Sequence, residues 1–179
     1  MRQYYYFAAS LPMLKPGDRP PLSSVEFRQS CERLLAREDY RKVVQARLNA
    51  SAASVGSKIG LLQRYQDAEF ALRNELVKLR SKKRTVDLEK HLRPEALNPL
   101  WAGAAREIAE QETPLKAEHL LNNVLWGVLD NLVAGHYFDL DFLAAYHLKL
   151  QILERNARFK LEAGREKLES ILTGDMKDG

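Results

Sequence analysis

The sequence predicts an all-α protein of about six helices that ends in a long antiparallel helical hairpin. Apolar residues recur at steps of three and four along most of the chain, which is the spacing of one helix face. Strand-like patterns are confined to the start of the chain. With 179 residues and 45% hydrophobic content, the chain suits one domain, which could divide into residues 1–92 and 93–179.

The start of the chain is expected to hold an aromatic anchor and a loop. Residues 4–9 read Tyr-Tyr-Tyr-Phe-Ala-Ala, which is too aromatic to leave in water and fits either a buried extended segment or a short helix. Residues 12–21 contain four prolines and one glycine, so they predict a surface loop. The longer helices should begin after this loop.

Two helices are predicted next. Ser23 and Glu26 have the spacing of a capping box, and the apolar residues that follow predict a helix from about 24 to 37. Glu38 then begins a second helix, because acidic side chains favour the first turn. This helix is expected to end near the small residues of 50–56.

The middle of the chain predicts a long helix, a connection and a shorter helix. The long helix covers 57–84, although Gly60 weakens its beginning. Pro94 and Pro99 mark the connection, because the residue before a proline disfavours the helical conformation. Helical spacing of apolar residues then resumes over 100–112.

The C-terminal hairpin has the best-marked boundaries. Thr113 is an N-cap followed by Pro114 at the first helical position, and Gly135 ends that helix. Asp139 caps the final helix, which covers 140–172. Because the connection between the two helices is short, they must be antiparallel.

Each helix of the hairpin carries one apolar stripe. The stripes are Leu121, Val124, Leu125, Val128 and Leu132 on the first helix and Leu143, Tyr146, Leu150, Leu153 and Ala157 on the second. Both have helical period, so we expect each stripe to bury the other. The final helix would then be the structural spine of the protein.

The final helix also resembles the long helix predicted in the middle of the chain. Four residues recur 82 positions later: Arg73, Asn74, Lys78 and Leu79 correspond to Arg155, Asn156, Lys160 and Leu161. Such a match suggests a repeated helical unit, although two helices rich in Leu, Lys and Arg can also match by chance. Structural roles are expected for Tyr65, Arg73, Asn74, Tyr146, Leu150, Leu153 and Asn156.

The composition and the absence of catalytic motifs favour a non-enzymatic protein. The single cysteine, Cys31, excludes an internal disulfide framework, which makes the cytoplasm the default location. No apolar run is long enough to cross a membrane. The four histidines lack the spacing of metal ligands, and no phosphate-binding or nucleophile motif is present. We therefore expect no metal, no cofactor and no catalytic residue.

One tempting group lies in the hairpin connection. His136, Asp139 and Asp141 come close together in the sequence, where a metal or acid–base site could form. A helix end followed by an N-cap explains these residues equally well. The second interpretation is the simpler one.

Two groups of charged residues are candidates for partner binding. The first is the basic segment of 78–84, with Lys78, Arg80, Lys82, Lys83 and Arg84. It fits a solvated helix end, a docking patch for an acidic protein or, as the alternative function, a site for nucleic acid. The second group is Glu154, Arg155 and Arg158, which flank the apolar stripe of the final helix.

The final helix carries a resemblance to a known family. The pattern Tyr146-x-x-Lys149-x-x-x-x-Glu154-x-Asn156 resembles the closing helix of the family of proteins that connect the central stalk of V-type and A-type ATPases to the membrane ring. The opening Tyr-Tyr-Tyr-Phe-Ala-Ala-Ser-Leu-Pro-Met-Leu is similar to that of a small bacterial family associated with V-type ATPases. The connector family itself is considerably longer than this chain.

The resemblance implies a role in a rotary ATPase or ATP synthase that transports protons or other ions. The protein would be a non-enzymatic coupling subunit between the rotor shaft and the membrane proteolipid ring. Its partners would be the other V-type ATPase subunits of the central stalk and ring, without nucleic acid. Its place would be the cytoplasmic side of the inner membrane, held there through the complex.

Overall fold

The computed structural model describes residues 4–48, 59–83 and 99–174, with the backbone alone at 82–83, 99 and 160–174. These ranges contain seven α-helices and one short 3-10 helix at Pro99–Trp101, and no β-strand. The α-helices are α1 (Tyr5–Ser10), α2 (Ser24–Leu34), α3 (Arg37–Val44), α4 (Gly60–Lys83), α5 (Ala102–Ala109), α6 (Pro114–Val133) and α7 (Leu140–Gly174). The prediction of an all-α fold is confirmed.

The aromatic start of the chain forms the short helix α1, which is one of the two predicted alternatives. Phe7 is buried, and its ring lies 6.0 Å from that of Phe27. The backbone N–H of Tyr4 donates to the carbonyl of Phe138 at 2.6 Å, in the connection before α7. The beginning of the chain is therefore fastened to the C-terminal hairpin.

The predicted capping box is present at the start of α2. The N–H of Glu26 donates to the hydroxyl of Ser23 at 3.1 Å, and the N–H of Ser23 donates to the Glu26 carboxylate at 2.7 Å. These two bonds satisfy backbone donors that the first turn of a helix leaves unpaired. The Glu26 carboxylate also accepts from the Ser23 hydroxyl at 2.9 Å, and its bonds from the N–H and the hydroxyl of Ser23 lower the pKa of this carboxyl.

Two predicted helix ends are wrong. The helix from Ser24 ends at Leu34 instead of 37, because Leu35 adopts an extended conformation and is buried in the core. The next helix ends at Val44, well before 50–56. Gln45 is its C-cap, residues 46–48 are not helical, and Leu48 is buried. In both places, burial of an apolar side chain determines where the helix ends.

The C-terminal hairpin is present as predicted. Three side-chain pairs link α6 to α7: Asp130 with Lys149 at 2.5 Å, Asn122 with Asn156 at 2.7 Å, and Glu118 with Arg155 at 2.5 Å. Lys149, near the start of α7, pairs near the end of α6, whereas Arg155 and Asn156 pair nearer its beginning, so the helices are antiparallel. Thr113 caps α6 by accepting from the N–H of Lys116 at 3.2 Å, and Gly135 turns the chain with a φ of 84°.

The expected packing of the hairpin through one stripe on α7 is wrong, because α7 is buried on two sides. One side contributes Ala144, Ala145, Leu148, Ile152 and Leu153 to the main core, together with residues of α4, α5 and α6. The other side contributes Leu143, Tyr146 and Leu150 to a second cluster with Phe7, Phe27, Cys31, Leu35 and Val43. A helix that is apolar around most of its circumference is a central helix. Between 143 and 153, α7 is the centre of the fold.

The main core combines residues from both sides of position 92, since α4 and α6 contribute to the same cluster. A division of the chain into two domains there stays a prediction, and so does the internal repeat. Asn74 on α4 and Asn156 on α7 are both buried. However, the elements before the two helices differ: α6 precedes α7, whereas residues 82 positions earlier include the end of α2 and the short α3.

Candidate functional site: an arginine-lined cleft

A cleft of about 370 Å³ opens between α2, the segment after α3 and α7. Its polar lining consists of Ser24, Arg28, Arg47, His147, Gln151, Glu154, Arg155 and Arg158. The five residues from α7 are spaced three, four and one apart, which places them on neighbouring positions of one helix face. We call this feature the arginine cleft.

Gln151 shapes one wall of the arginine cleft. Its side-chain N–H donates to the carbonyl of Ala46 at 2.8 Å, and its side-chain oxygen accepts from the N–H of Leu48 at 3.2 Å. The segment after α3 is thus bound to α7 on both sides of Arg47. Arg47 itself is exposed at the rim. Its backbone position is fixed although its side chain reaches solvent.

Glu154 holds the opposite wall. Its two carboxylate oxygens accept from the backbone N–H of Ser24 at 2.6 Å and from the Ser24 hydroxyl at 2.7 Å. Ser24 is the first residue of α2, where the unpaired N–H groups and the helix dipole favour a negative charge. Glu154 therefore joins α7 to α2. Its binding to a partner stays a prediction.

The four arginines differ in what they contact. Arg28 donates through Nε to the carbonyl of Ser24 at 3.2 Å. Arg155 pairs with Glu118 on α6 at 2.5 Å, and its guanidinium lies 5.8 Å from the centre of the Phe159 ring. Arg47 and Arg158 are exposed and form no ion pair with the residues that the structure describes. These two side chains are available to an incoming anion.

The charges of the lining do not balance. The lining has four guanidinium groups and one carboxylate, that of Glu154. Glu118 pairs with Arg155 from outside the lining, so the excess is two positive charges. Guanidinium groups stay protonated at any ordinary pH. Partly enclosed charges of one sign concentrate their field in a cleft, so this excess attracts anions.

His147 forms part of the cleft floor and does not add to this charge. It is only 3% exposed, its Nδ1 lies 3.2 Å from the carbonyl of Val43, and its ring lies 5.4 Å from that of Phe27. Burial lowers the pKa of His147 to about 4. The ring is therefore neutral near pH 7, and the contact with the Val43 carbonyl places its proton on Nδ1.

The arginine cleft offers guanidinium donors for an oxyanion. Cys31 does not line the cleft; it is buried, and burial raises the pKa of its thiol to about 12, which disfavours the reactive thiolate. In the cleft lining, the Ser24 hydroxyl donates to the Glu154 carboxylate, which also accepts from the Ser24 N–H. Both groups are thus engaged in joining α7 to α2.

A second polar group is buried where α4, α6 and α7 meet. It brings together residues of both segments of the proposed repeat, because the charges of Glu69, Arg73 and Arg155 all act on the hydroxyl of Tyr65. Burial, reinforced by Glu69, raises the pKa of Tyr65 well above its ordinary value. Arg73 binds the buried Glu69 at 2.7 Å. Tyr65 and Glu69 are buried, which is consistent with the structural roles predicted for Tyr65 and Arg73.

The Asn122–Asn156 hydrogen bond gives a testable prediction. Replacing only Asn156 by Leu leaves the buried amide of Asn122 without its partner, which should lower the free energy of unfolding by about 1–3 kcal/mol. Replacing both residues by Leu removes the unpaired group and should recover most of this loss. Urea melts of the two single variants and the double variant measure the coupling. Additive losses would contradict a role for this bond.

The basic segment of 78–84 is less exposed than its sequence suggests. Lys78 donates to Glu75 at 2.5 Å, so its charge is partly compensated, whereas Arg80 is exposed. The side chains of Lys82 and Lys83, and the whole of Arg84, lie outside the described residues. The segment and the arginine cleft are separate groups: none of the residues that line the cleft belongs to α4.

Among the described residues, one group of side chains could hold a metal ion, and it lies in the hairpin connection. The ligand atoms of His136, Asp139 and Asp141 lie within 4.8 Å of one another. However, Asp139 accepts from the N–H of Phe142 at 3.0 Å as the cap of α7, and His136 Nδ1 lies 2.6 Å from its other oxygen. The interpretation as a helix cap explains these contacts.

Two of the four cleft arginines are not singled out by the sequence analysis. Arg28 and Arg47 reach the cleft from α2 and from the segment after α3, roughly a hundred residues or more before the α7 residues that they face. No local pattern marks either residue. Only the packing of α7 against the N-terminal helices places them beside Arg155 and Arg158.

Comparisons with family models, with curated proteins and with solved structures found no significant match. Within the described residues, none of the helices is both long and apolar enough to cross a membrane.

Proposed function

We propose that this protein is a non-enzymatic binding subunit that docks onto an acidic segment of a partner protein through the arginine cleft. The excess of two positive charges at the cleft carries this proposal. Arg47 and Arg158 supply exposed guanidinium groups, which bind carboxylates through paired hydrogen bonds. The rigid walls made by Gln151 and Glu154 hold the cleft in shape before the partner arrives.

The larger assembly that we propose is a V-type ATPase or ATP synthase. The resemblance in α7 and at the start of the chain supports this part of the proposal. The protein would couple the central stalk to the proteolipid ring without a catalytic role. It would lie on the cytoplasmic side of the inner membrane, attached through the complex.

A co-purification experiment tests both parts. The tagged protein is isolated from its own cells, and V-type ATPase subunits are identified and quantified by mass spectrometry. The double variant Arg47→Ala/Arg158→Ala should recover at least about tenfold less partner, because it removes two charge-assisted contacts. Both side chains are exposed, so the fold should be unaffected. Arg80→Ala, an exposed arginine outside the cleft lining, is the matched control.

The outcomes separate the two parts of the proposal. Equal recovery by all the variants would overturn docking through the arginine cleft. A partner that is lost with the double variant but is no ATPase subunit would leave the cleft as the docking site and overturn the assignment to the ATPase.

Nucleic-acid binding through the basic segment of 78–84 is the alternative function. Arg80 is its described exposed cation, although no alternating aromatic residues accompany the segment for base stacking. This alternative predicts a gel shift of RNA or DNA that weakens steeply with added salt. The shift should be reduced by Arg80→Ala and retained by the double cleft variant, the reverse of the pattern expected for cleft docking.

A further inference from the structure

We propose that the arginine cleft also binds a free oxyanion of the phosphate class, which competes with the acidic partner for the same arginines. The binding of the oxyanion rests on the cleft alone, whereas the competition rests on the proposed function. The ligand would be inorganic phosphate, pyrophosphate or the phosphate group of a small metabolite.

The charge that is concentrated in the cleft favours a phosphate group. Four guanidinium groups and one carboxylate surround about 370 Å³, and pockets for small ligands begin at roughly this size. A single carboxylate carries one negative charge, whereas a phosphate group carries about two near neutral pH and presents three strong acceptor oxygens. With Glu118 compensating Arg155, the excess of two positive charges is better matched by a phosphate than by one carboxylate.

The arginines reach the cleft from different elements of the fold. Arg28 comes from α2, Arg47 from the segment after α3, and Arg158 from α7. Planar guanidinium forks that arrive from three different elements can bind several oxygens of one tetrahedral group. A flat carboxylate has only two oxygens to offer them.

The cleft already holds one carboxylate of the protein itself. Glu154 occupies the donors of Ser24 with both of its oxygens, so α2 contributes no free donor from that residue to a ligand. The arginines remain, and the negative charge of Glu154 opposes an incoming anion. Removing that charge should therefore strengthen binding, which distinguishes a specific site from general attraction to a basic surface.

Isothermal titration calorimetry with inorganic phosphate and with pyrophosphate, at constant ionic strength, tests the inference. We expect one ligand per chain for the intact protein. Arg47→Ala/Arg158→Ala should weaken the Kd at least about tenfold, since two charge-assisted contacts are lost, whereas Arg80→Ala should not change it. Glu154→Gln should tighten binding several-fold, and its circular dichroism spectrum and urea melt establish that it is folded.

Glutarate, a small dicarboxylate, is the control for the chemical class. Equal affinity for glutarate and pyrophosphate would overturn the preference for phosphate. A titration with chloride at the same ionic strength is the second control. It should give no heat of binding, and a heat identical to that of phosphate would overturn the proposed site. Binding that survives unchanged in the double cleft variant would also overturn the inference.

The competition is measured by adding pyrophosphate during co-purification, with sodium chloride of equal ionic strength as the control. Release of the partner by pyrophosphate, but not by chloride, supports a shared site. If pyrophosphate binds in the cleft and partner recovery does not depend on Arg47 and Arg158, the proposed function fails and the oxyanion site stands. If the partner needs these arginines and pyrophosphate does not bind, only the present inference fails.

Discussion

Leu150→Ala should lower the free energy of unfolding by about 2–5 kcal/mol, the range for removing a fully buried leucine side chain. Leu150 is 0% exposed and packs in the second cluster with Phe27, Cys31 and Val43. Because α7 is fastened to neighbours on both sides, the surroundings have little freedom to collapse into the cavity. Urea melts analysed by linear extrapolation measure this loss.

Leu100→Ala is the matched control for this substitution. It makes the same chemical change at a side chain that is 84% exposed, so the free energy of unfolding should change by less than about 0.5 kcal/mol. A loss for Leu150→Ala as small as that for Leu100→Ala would mean that the second cluster does not contribute to the stability of the folded protein.

Acidification from pH 7 to pH 4 should remove about 3 kcal/mol of stability through His147. The pKa of His147 is about 4 in the folded protein, below its ordinary value of 6.5. The unfolded chain therefore binds a proton first, and the stabilisation that is present above pH 6.5 is lost as the pH falls towards 4. Burial is the main cause of the lowered pKa, and the charges of Arg28 and Arg47 lower it further. The hydrogen bond with the Val43 carbonyl and the charge of Glu154 act in the opposite direction, but burial outweighs them.

The pH effect is isolated by comparing the slopes of stability against pH. His147→Gln removes the titrating group, so stability should decline less between pH 6.5 and pH 4 than in the intact protein. His119→Gln removes a partly exposed histidine on α6 and tests whether the effect belongs to His147. Urea melts at half-unit pH intervals supply the slopes. Parallel slopes for the intact protein and His147→Gln would contradict the prediction.

Local signals predicted the parts of the fold that depend on neighbouring residues. The capping box of Ser23 and Glu26, the cap at Thr113 and the turn at Gly135 act within four residues, so the sequence alone predicts them. The short connection between α6 and α7 likewise determined their antiparallel arrangement. These features needed no knowledge of tertiary packing.

The remaining features depend on contacts between distant segments. Leu35 leaves the helical conformation because a core position, supplied by other elements, is open to its side chain. The apolar residues of α7 were assigned to one stripe, since helical spacing does not show how many neighbours a helix has. The candidate site also depends on such contacts. Arg155 and Arg158 were singled out from the sequence, whereas Arg28 and Arg47 become neighbours of α7 only in the folded protein.

The burial of α7 between two groups of helices constrains the order of events during protein synthesis. The N-terminal helices complete their cluster with Leu143, Tyr146 and Leu150, and Tyr146 donates its hydroxyl to the carbonyl of Pro12, 134 residues away. Ribosomes add about 5–20 residues per second, so α7 is synthesised several seconds after α1 to α3. During that interval Phe27 and Val43 lack the contacts that bury them. Nascent chains stalled before α7 should therefore expose this apolar surface to chaperones.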